Sequence, residues 1–180
     1  TSNDFADLRA GNVRPPYDKS FGKSNYYVVQ VDSLDTLIRN SDPNMQRFTG
    51  YKQFDVMQKI FFRQNQTISH SLNFQYSNSS DIPRYDRLQQ FQSNGNPIYA
   101  KWHYGPQKRI LASAKTRILS EGKFFSDMNI ILAYQDINQQ RVIRKFKKTE
   151  EKDQIDEVAV YSANSGFRLG LGIISEPFVD

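Results

Sequence analysis

Thr67-Ile68-Ser69-His70-Ser71-Leu72-Asn73-Phe74-Gln75-Tyr76-Ser77 is the stretch whose reading decides the fold. Ile68, His70, Leu72, Phe74 and Tyr76 share one parity, and Thr67, Ser69, Ser71, Asn73, Gln75 and Ser77 share the other. Strand side chains alternate faces, so one face is almost wholly apolar and the other wholly polar. A half-buried strand of any kind shows that period. The run is long, however, against a usual strand of roughly 5–6 residues, and it matches the roughly 9–11 residues of a tilted bilayer-crossing strand. Its polar parity is short-chained and neutral, as suits a wet lumen.

Working outward, Thr49–Arg63 predicts a preceding strand with Phe54, Val56, Ile60 and Phe62 on one parity. Arg63–Gln66 predicts a short turn. Lys108–Leu119 (Ile110, Ala112, Ala114 and Ile118 against Arg109, Ser113, Lys115 and Arg117) and Phe124–Asp136 predict a second pair around Ser120–Lys123. Residues 157–162 and 167–174 predict a last hairpin about Asn164-Ser165-Gly166. Asn78 to about Tyr99 and Ile137–Asp156 predict two long polar loops. Turns thus alternate short and long, the rhythm of outer-membrane barrels. Residues 1–24, with Pro15-Pro16, predict an irregular lead-in. Tyr26–Val31 predicts a strand, and Ser33 an N-cap before a short helix through Leu34, Leu37 and Ile38.

Composition agrees with this reading. Apolar residues make up 38 % and aromatics 13 %, with no apolar run long enough for a membrane helix. Barrel strands dilute their lipid face with lumen residues, so low hydropathy is no objection. The chain has no cysteine, which removes disulfides and thiolate sites. Its net charge of +5 is scattered, without the aromatic interleaving of a single-strand platform, so no nucleic-acid partner is expected. His70 and His103 are the only histidines, and neither stands at a catalytic or metal-ligand spacing. No catalytic residue, metal site or cofactor is expected, and the chain does not read as an enzyme.

Several ordered blocks carry a resemblance. Asn40-Ser-Asp-Pro-Asn44, Gln46 and Thr49-Gly-Tyr-Lys-Gln53 come first. Asp81-Ile-Pro-Arg-Tyr-Asp-Arg-Leu88 and Trp102-His-Tyr-Gly-Pro-Gln-Lys-Arg109 follow, then Arg141, Arg144, Phe146, Glu157 and Tyr161. Over roughly residues 25–175 the chain resembles the barrel of TonB-dependent outer-membrane receptors of the Bacteroidetes type. The resemblance implies an all-β, antiparallel up-and-down meander, an incomplete segment of a 22-stranded transmembrane β-barrel around a plug. It implies import of a small nutrient driven by the TonB complex through the plug region: an iron complex such as a siderophore or haem, or else cobalamin or a glycan. Plug, TonB box and remaining strands are not in the sequence, so 25–180 reads as part of that barrel, located in the bacterial cell outer membrane.

Within that frame Phe62 and Phe124 are expected at one lipid rim, and Tyr76, Tyr134, Trp102 and Tyr104 at the other. Arg84, Tyr85, Asp86 and Arg87 suit either an anionic ligand, through charge-assisted bonds, or pinning of a loop at a strand exit. Gly105-Pro106 is expected to steer the chain into the next strand. Arg141, Arg144 and Lys145 lead a basic run, followed by Glu150, Glu151 and Asp153, that either pairs with itself or attracts lipopolysaccharide phosphates. The competing architecture is a β-sandwich or lectin-like binding module, in which the apolar faces pair inward.

Overall fold

The computed structural model describes residues 1–10, 22–122 and 124–169. The chain is nearly all strand. β1 (Ser2–Phe5) is followed by the hairpin β2 (Tyr26–Val31) and β3 (Leu34–Arg39). Then come β4 (Tyr51–Arg63), β5 (Ile68–Ser79), the short β6 (Ile82–Pro83), one helical turn α1 (Tyr85–Leu88), β7 (Tyr99–Leu119), β8 (Asp127–Lys145) and β9 (Glu151–Arg168).

The main sheet runs β1-β4-β5-β7-β8-β9, with β6 also on β7, while β2 and β3 form their own sheet. From β4 onward, neighbours follow chain order. Bonds near both ends of each pair fix them as antiparallel: Gln64 N–H to Ile68 O and Ser80 N–H to Lys52 O for β4 and β5, and Leu119 N–H to Thr67 O beside Gln107 N–H to Ser79 Oγ for β5 and β7. The expected meander is therefore present. No closed barrel is formed by these strands.

Four local expectations are corrected. The short helix after Ser33 is a β-hairpin: Val31 pairs with Leu34, and Asp32 and Ser33 have φ of 49° and 66°. Two consecutive positive φ angles make the two-residue turn that matches strand twist, and they outweigh the helical spacing of Leu34, Leu37 and Ile38. Within the lead-in, Ser2–Phe5 is a strand paired with Tyr51–Phe54 of β4. Pro15 and Pro16 lie outside the described residues. The second long loop shrinks to residues 146–150, because β8 runs on to Lys145 and β9 starts at Glu151. Finally, Asn164-Ser165-Gly166 is no turn. β9 passes straight through it, held by β8 as far as Ser126 N–H to Arg168 O. Continuous cross-strand pairing overrides a local turn signal; the part of the expected hairpin after 169 lies outside the described residues.

β7 also starts earlier than its apolar alternation, and Gly105-Pro106 lies inside it. Gly105 has φ +94°, and a Cβ there would stand 2.6 Å from Ser80 O. Both backbone angle and space exclude a side chain. Gly105→Ala is expected to cost about 1–3 kcal/mol in denaturant unfolding; an unchanged midpoint would contradict this.

The chain divides into two compact units. The first comprises Thr1–Asp55, Ser77–Arg109 and Ile137–Glu157, as far as these are described. It is held by buried polar groups more than by apolar ones. Asn40 Nδ2 donates to Ser24 O and Met45 O, Thr49 Oγ1 accepts from Leu8 N–H, and Gln46 Nε2 donates to Gly22 O. Asn40, Gln46 and Thr49 of the sequence blocks thus work as backbone anchors.

The second unit contains Val56–Tyr76, Ile110–Asp136 and the described residues from Val158. Its strand segments are 56–63, 68–76, 110–119, 127–136 and 158–168, eight to eleven residues each. It has little besides these strands and their two short turns.

Candidate functional site

Two features bear on function, one in each unit. In the second unit it is the sheet's pair of faces. Ile60, Leu72, Phe74, Ala112, Ala114, Leu132, Tyr134, Tyr161 and Ala163 line one continuous apolar depression. The rings of Tyr134 and Tyr161 lie 4.9 Å apart. Leu72 is 51 % exposed, and Ile60, Phe74, Ile130 and Leu132 are exposed too, as is Phe54 in the first unit; Ile110 is half-exposed. Among the described residues of this unit, nothing covers this face. Val142, in the first unit, is the one buried apolar residue among those described that qualifies as core besides Pro97.

The opposite parity carries the cations. Lys59, Arg63, Lys115 and Arg117 line one polar depression, and Arg117 pairs with Asp127 at 2.8 Å. His70 is the polar exception on the apolar parity. Its Nδ1 lies 3.0 Å from Thr116 Oγ1 and its Nε2 3.0 Å from Gln64 Oε1, while the ring stacks on Phe62. Both nitrogens are partnered, one by Thr116 of β7 and one by Gln64 of the turn after β4, which lowers the cost of an apolar surrounding. Phe62 and Phe124 are both strongly exposed.

The first unit gathers most of the residues expected as ligand contacts. β6 pairs with Tyr104 and His103, which holds the following segment across β7, and Arg84 N–H donates to Trp102 O at 2.9 Å. Arg84 donates through Nε and Nη2 to the two Asp86 oxygens, at 2.8 and 2.7 Å, and through Nη1 to the Tyr104 hydroxyl at 3.1 Å. Arg84 and Arg141 stand 5.5 and 5.0 Å from the Tyr104 ring centre, and Arg87 5.2 Å from that of Trp102. Each is a cation on an aromatic face. The hydrogen bonds from Arg84 hold the Asp86 carboxyl below its usual range, and the same bonds raise Arg84. Burial pushes the Tyr85 hydroxyl up, against a side-chain hydrogen bond with Ser24 that lowers it. Arg84 and Asp86 therefore largely satisfy one another, as loop-pinning requires.

Arg144 and Lys145 do not join this cluster. Arg144 donates to both Asp35 oxygens, at 2.8 and 2.7 Å, and to Lys148 O at 2.9 Å; the Lys147 amide also donates to Asp35. The Asp35 side chain is 1 % exposed and that of Arg144 12 %. Burial opposes ionisation of Asp35, but the bonds from Arg144 and Lys147 and the Arg144 charge outweigh it and lower its pKa. Arg144 is thus an anchor for the 146–150 turn, and Lys145 is simply exposed.

Sequence reading missed Asp35, Arg47, Tyr99 and the His103–Asp81 contact at 3.5 Å. Asp35 meets a partner 109 residues away, and no local spacing announces that. Tyr99, edge-on to Trp102 at 4.5 Å, could have been flagged by its place three residues before it. Among the described residues no group of His, Asp or Glu is placed to hold a metal ion. Searches of protein-family models, of curated proteins and of solved structures gave no match to this chain.

Proposed function

We propose that this chain is barrel wall of a TonB-dependent outer-membrane receptor, a segment of a 22-stranded barrel that imports a small nutrient such as an iron complex. The observation that carries the spanning part is the second unit. It is a single antiparallel layer with strand segments of bilayer-crossing length, an uncovered apolar face, and its strand lysines and arginines confined to the other parity.

In water such a face costs free energy in proportion to its apolar area. Lipid removes that cost and, with closure by further strands, the cost of unpaired edges. Exposure of Leu72, Phe74 and Leu132 speaks against a sandwich, whose second sheet would cover them. The receptor and transport parts of the proposal rest on the sequence resemblance, and the exposed cations of the first unit are compatible with capture of an anionic nutrient.

Uptake of candidate iron complexes by cells carrying the full-length protein, with and without TonB, tests transport. Uptake is expected only with TonB, since a plugged barrel has no energy source of its own. Equal uptake in both strains would overturn the assignment.

A further inference from the structure

Contacts near the turn after β4 fix the register of β4, β5 and β7. Gln64 N–H donates to Ile68 O and Phe62 stacks on His70, which sets Arg63 opposite Ser69. Leu119 N–H donates to Thr67 O and Thr116 meets His70, which sets Arg117 opposite Ser69 and Lys115 opposite Ser71. Lys59 shares the parity of Arg63 in β4. These four cations line one polar depression of about 430 Å³ in the second unit, with Ser69 and Ser71 of the middle strand between them. We propose that this depression binds a small soluble anion carrying two phosphate groups, with pyrophosphate as the type. The proposal does not rest on the membrane reading: it concerns the face opposite the apolar one, and the two fail independently.

Charge comes first. None of the described lining residues is acidic. Arg117 pairs with Asp127 at 2.8 Å, and the charge of Lys115 also acts on that carboxylate. Lys59 and Arg63 form no ion pair with any described residue. Four lining cations less the Asp127 carboxylate leave a surplus of three positive charges. Like charges gathered on neighbouring strands repel one another, and an anion seated among them relieves that repulsion.

Geometry decides the number of anionic groups. The cations form two pairs, Lys59 with Arg63 on β4 and Lys115 with Arg117 on β7, on either side of β5. Neighbouring strands lie about 4.7–4.9 Å apart, so the two pairs spring from backbones about 10 Å apart. One compact anion seated on one pair leaves the other unmatched, whereas two linked anionic groups meet both. Between the pairs, Ser69 and Ser71 are half-exposed, and their hydroxyls bond to no described residue. Each half therefore offers two cations and a hydroxyl able to donate. A phosphate answers that with up to two charges and three acceptor oxygens, where a carboxylate has one charge and two oxygens. Guanidinium groups also match phosphate oxygens in shape.

Pyrophosphate titrated calorimetrically into the full chain in neutral detergent micelles at low ionic strength should bind saturably, and more weakly as salt rises. Orthophosphate, with one group, and succinate, with two carboxylates, should each bind at least about tenfold more weakly. Arg63→Gln and Lys115→Gln, which each remove one member of a pair, should each weaken pyrophosphate about tenfold. Lys152→Gln, which removes one exposed charge from β9 in the first unit, should leave binding unchanged. Arg63 and Lys115 are exposed, so neither substitution empties a core. Where a variant fails to fold, broadening of the phosphorus resonance of pyrophosphate by the unmodified chain decides the matter, and broadening is expected. Absence of saturable binding or of broadening overturns the proposal. So does orthophosphate or succinate binding as tightly as pyrophosphate, affinity indifferent to both site substitutions, or an equal loss in Lys152→Gln.

Discussion

Leu72→Arg is expected to weaken folding of the full-length protein into lipid bilayers by about 2–4 kcal/mol, while Ser71→Arg leaves it nearly unchanged. The two positions are neighbours in β5 and point to opposite faces. Leu72 lies on the apolar face with Phe74, Leu132 and Tyr134, where, in the proposed barrel, an arginine would have to be desolvated by lipid. Ser71 shares the opposite depression with Lys59, Lys115 and Arg117, where another cation meets water. Urea titration of folding into phospholipid vesicles measures both. A β-sandwich would also resist Leu72→Arg, but it would lose stability equally in detergent-free buffer. Penalties of similar size at positions 71 and 72 would contradict the two-faced reading.

Asp35→Ala is expected to destabilise the first unit by about 3–5 kcal/mol. The substitution strands Arg144, whose side chain is largely buried, and removes the acceptor for the Lys147 amide. Replacing both partners, Asp35→Leu with Arg144→Met, should recover most of the loss, since a well-packed apolar pair avoids the desolvation penalty.

The pH dependence follows from the direction of the shift. Asp35 has a lowered pKa in the folded chain, so its contribution is complete above the unfolded value of about 3.9. It disappears as pH falls through the lower folded value. Unfolding followed by Trp102 emission should therefore show an acid limb that flattens in Asp35→Ala. An unchanged acid limb would contradict the assignment of that titration to Asp35.

The alternation of 67–77 and its neighbours was enough to place β4, β5, β7 and β8 and their antiparallel order, because period-two patterning is a property of each strand alone. What failed was decided by partners distant in sequence. β8 and β9 continue through charged residues 137–145 and 151–156 because each finds the other's backbone, which polarity does not reveal. The Asp32-Ser33 turn defeated a helical spacing because pairing of β2 with β3 selects the turn. For the site, the nearness of Arg84 and Asp86 in sequence and the aromatic content of 102–104 were legible. The meeting of Arg141 with Tyr104, and of Arg144 with Asp35, was not, since each joins residues far apart in the chain.

The central claim is that the even-numbered face of β5 meets lipid. This chain contributes no cysteine of its own, so spin labels can be placed on single cysteines introduced at positions 70 to 75. In the full-length protein reconstituted in phospholipid bilayers, the relative accessibility of each label to dissolved oxygen and to a water-soluble nickel chelate is measured. Labels at 70, 72 and 74 should be reached by oxygen and shielded from the chelate, while those at 71, 73 and 75 should show the reverse. Equal access of the chelate to both sets would contradict a bilayer-spanning strand.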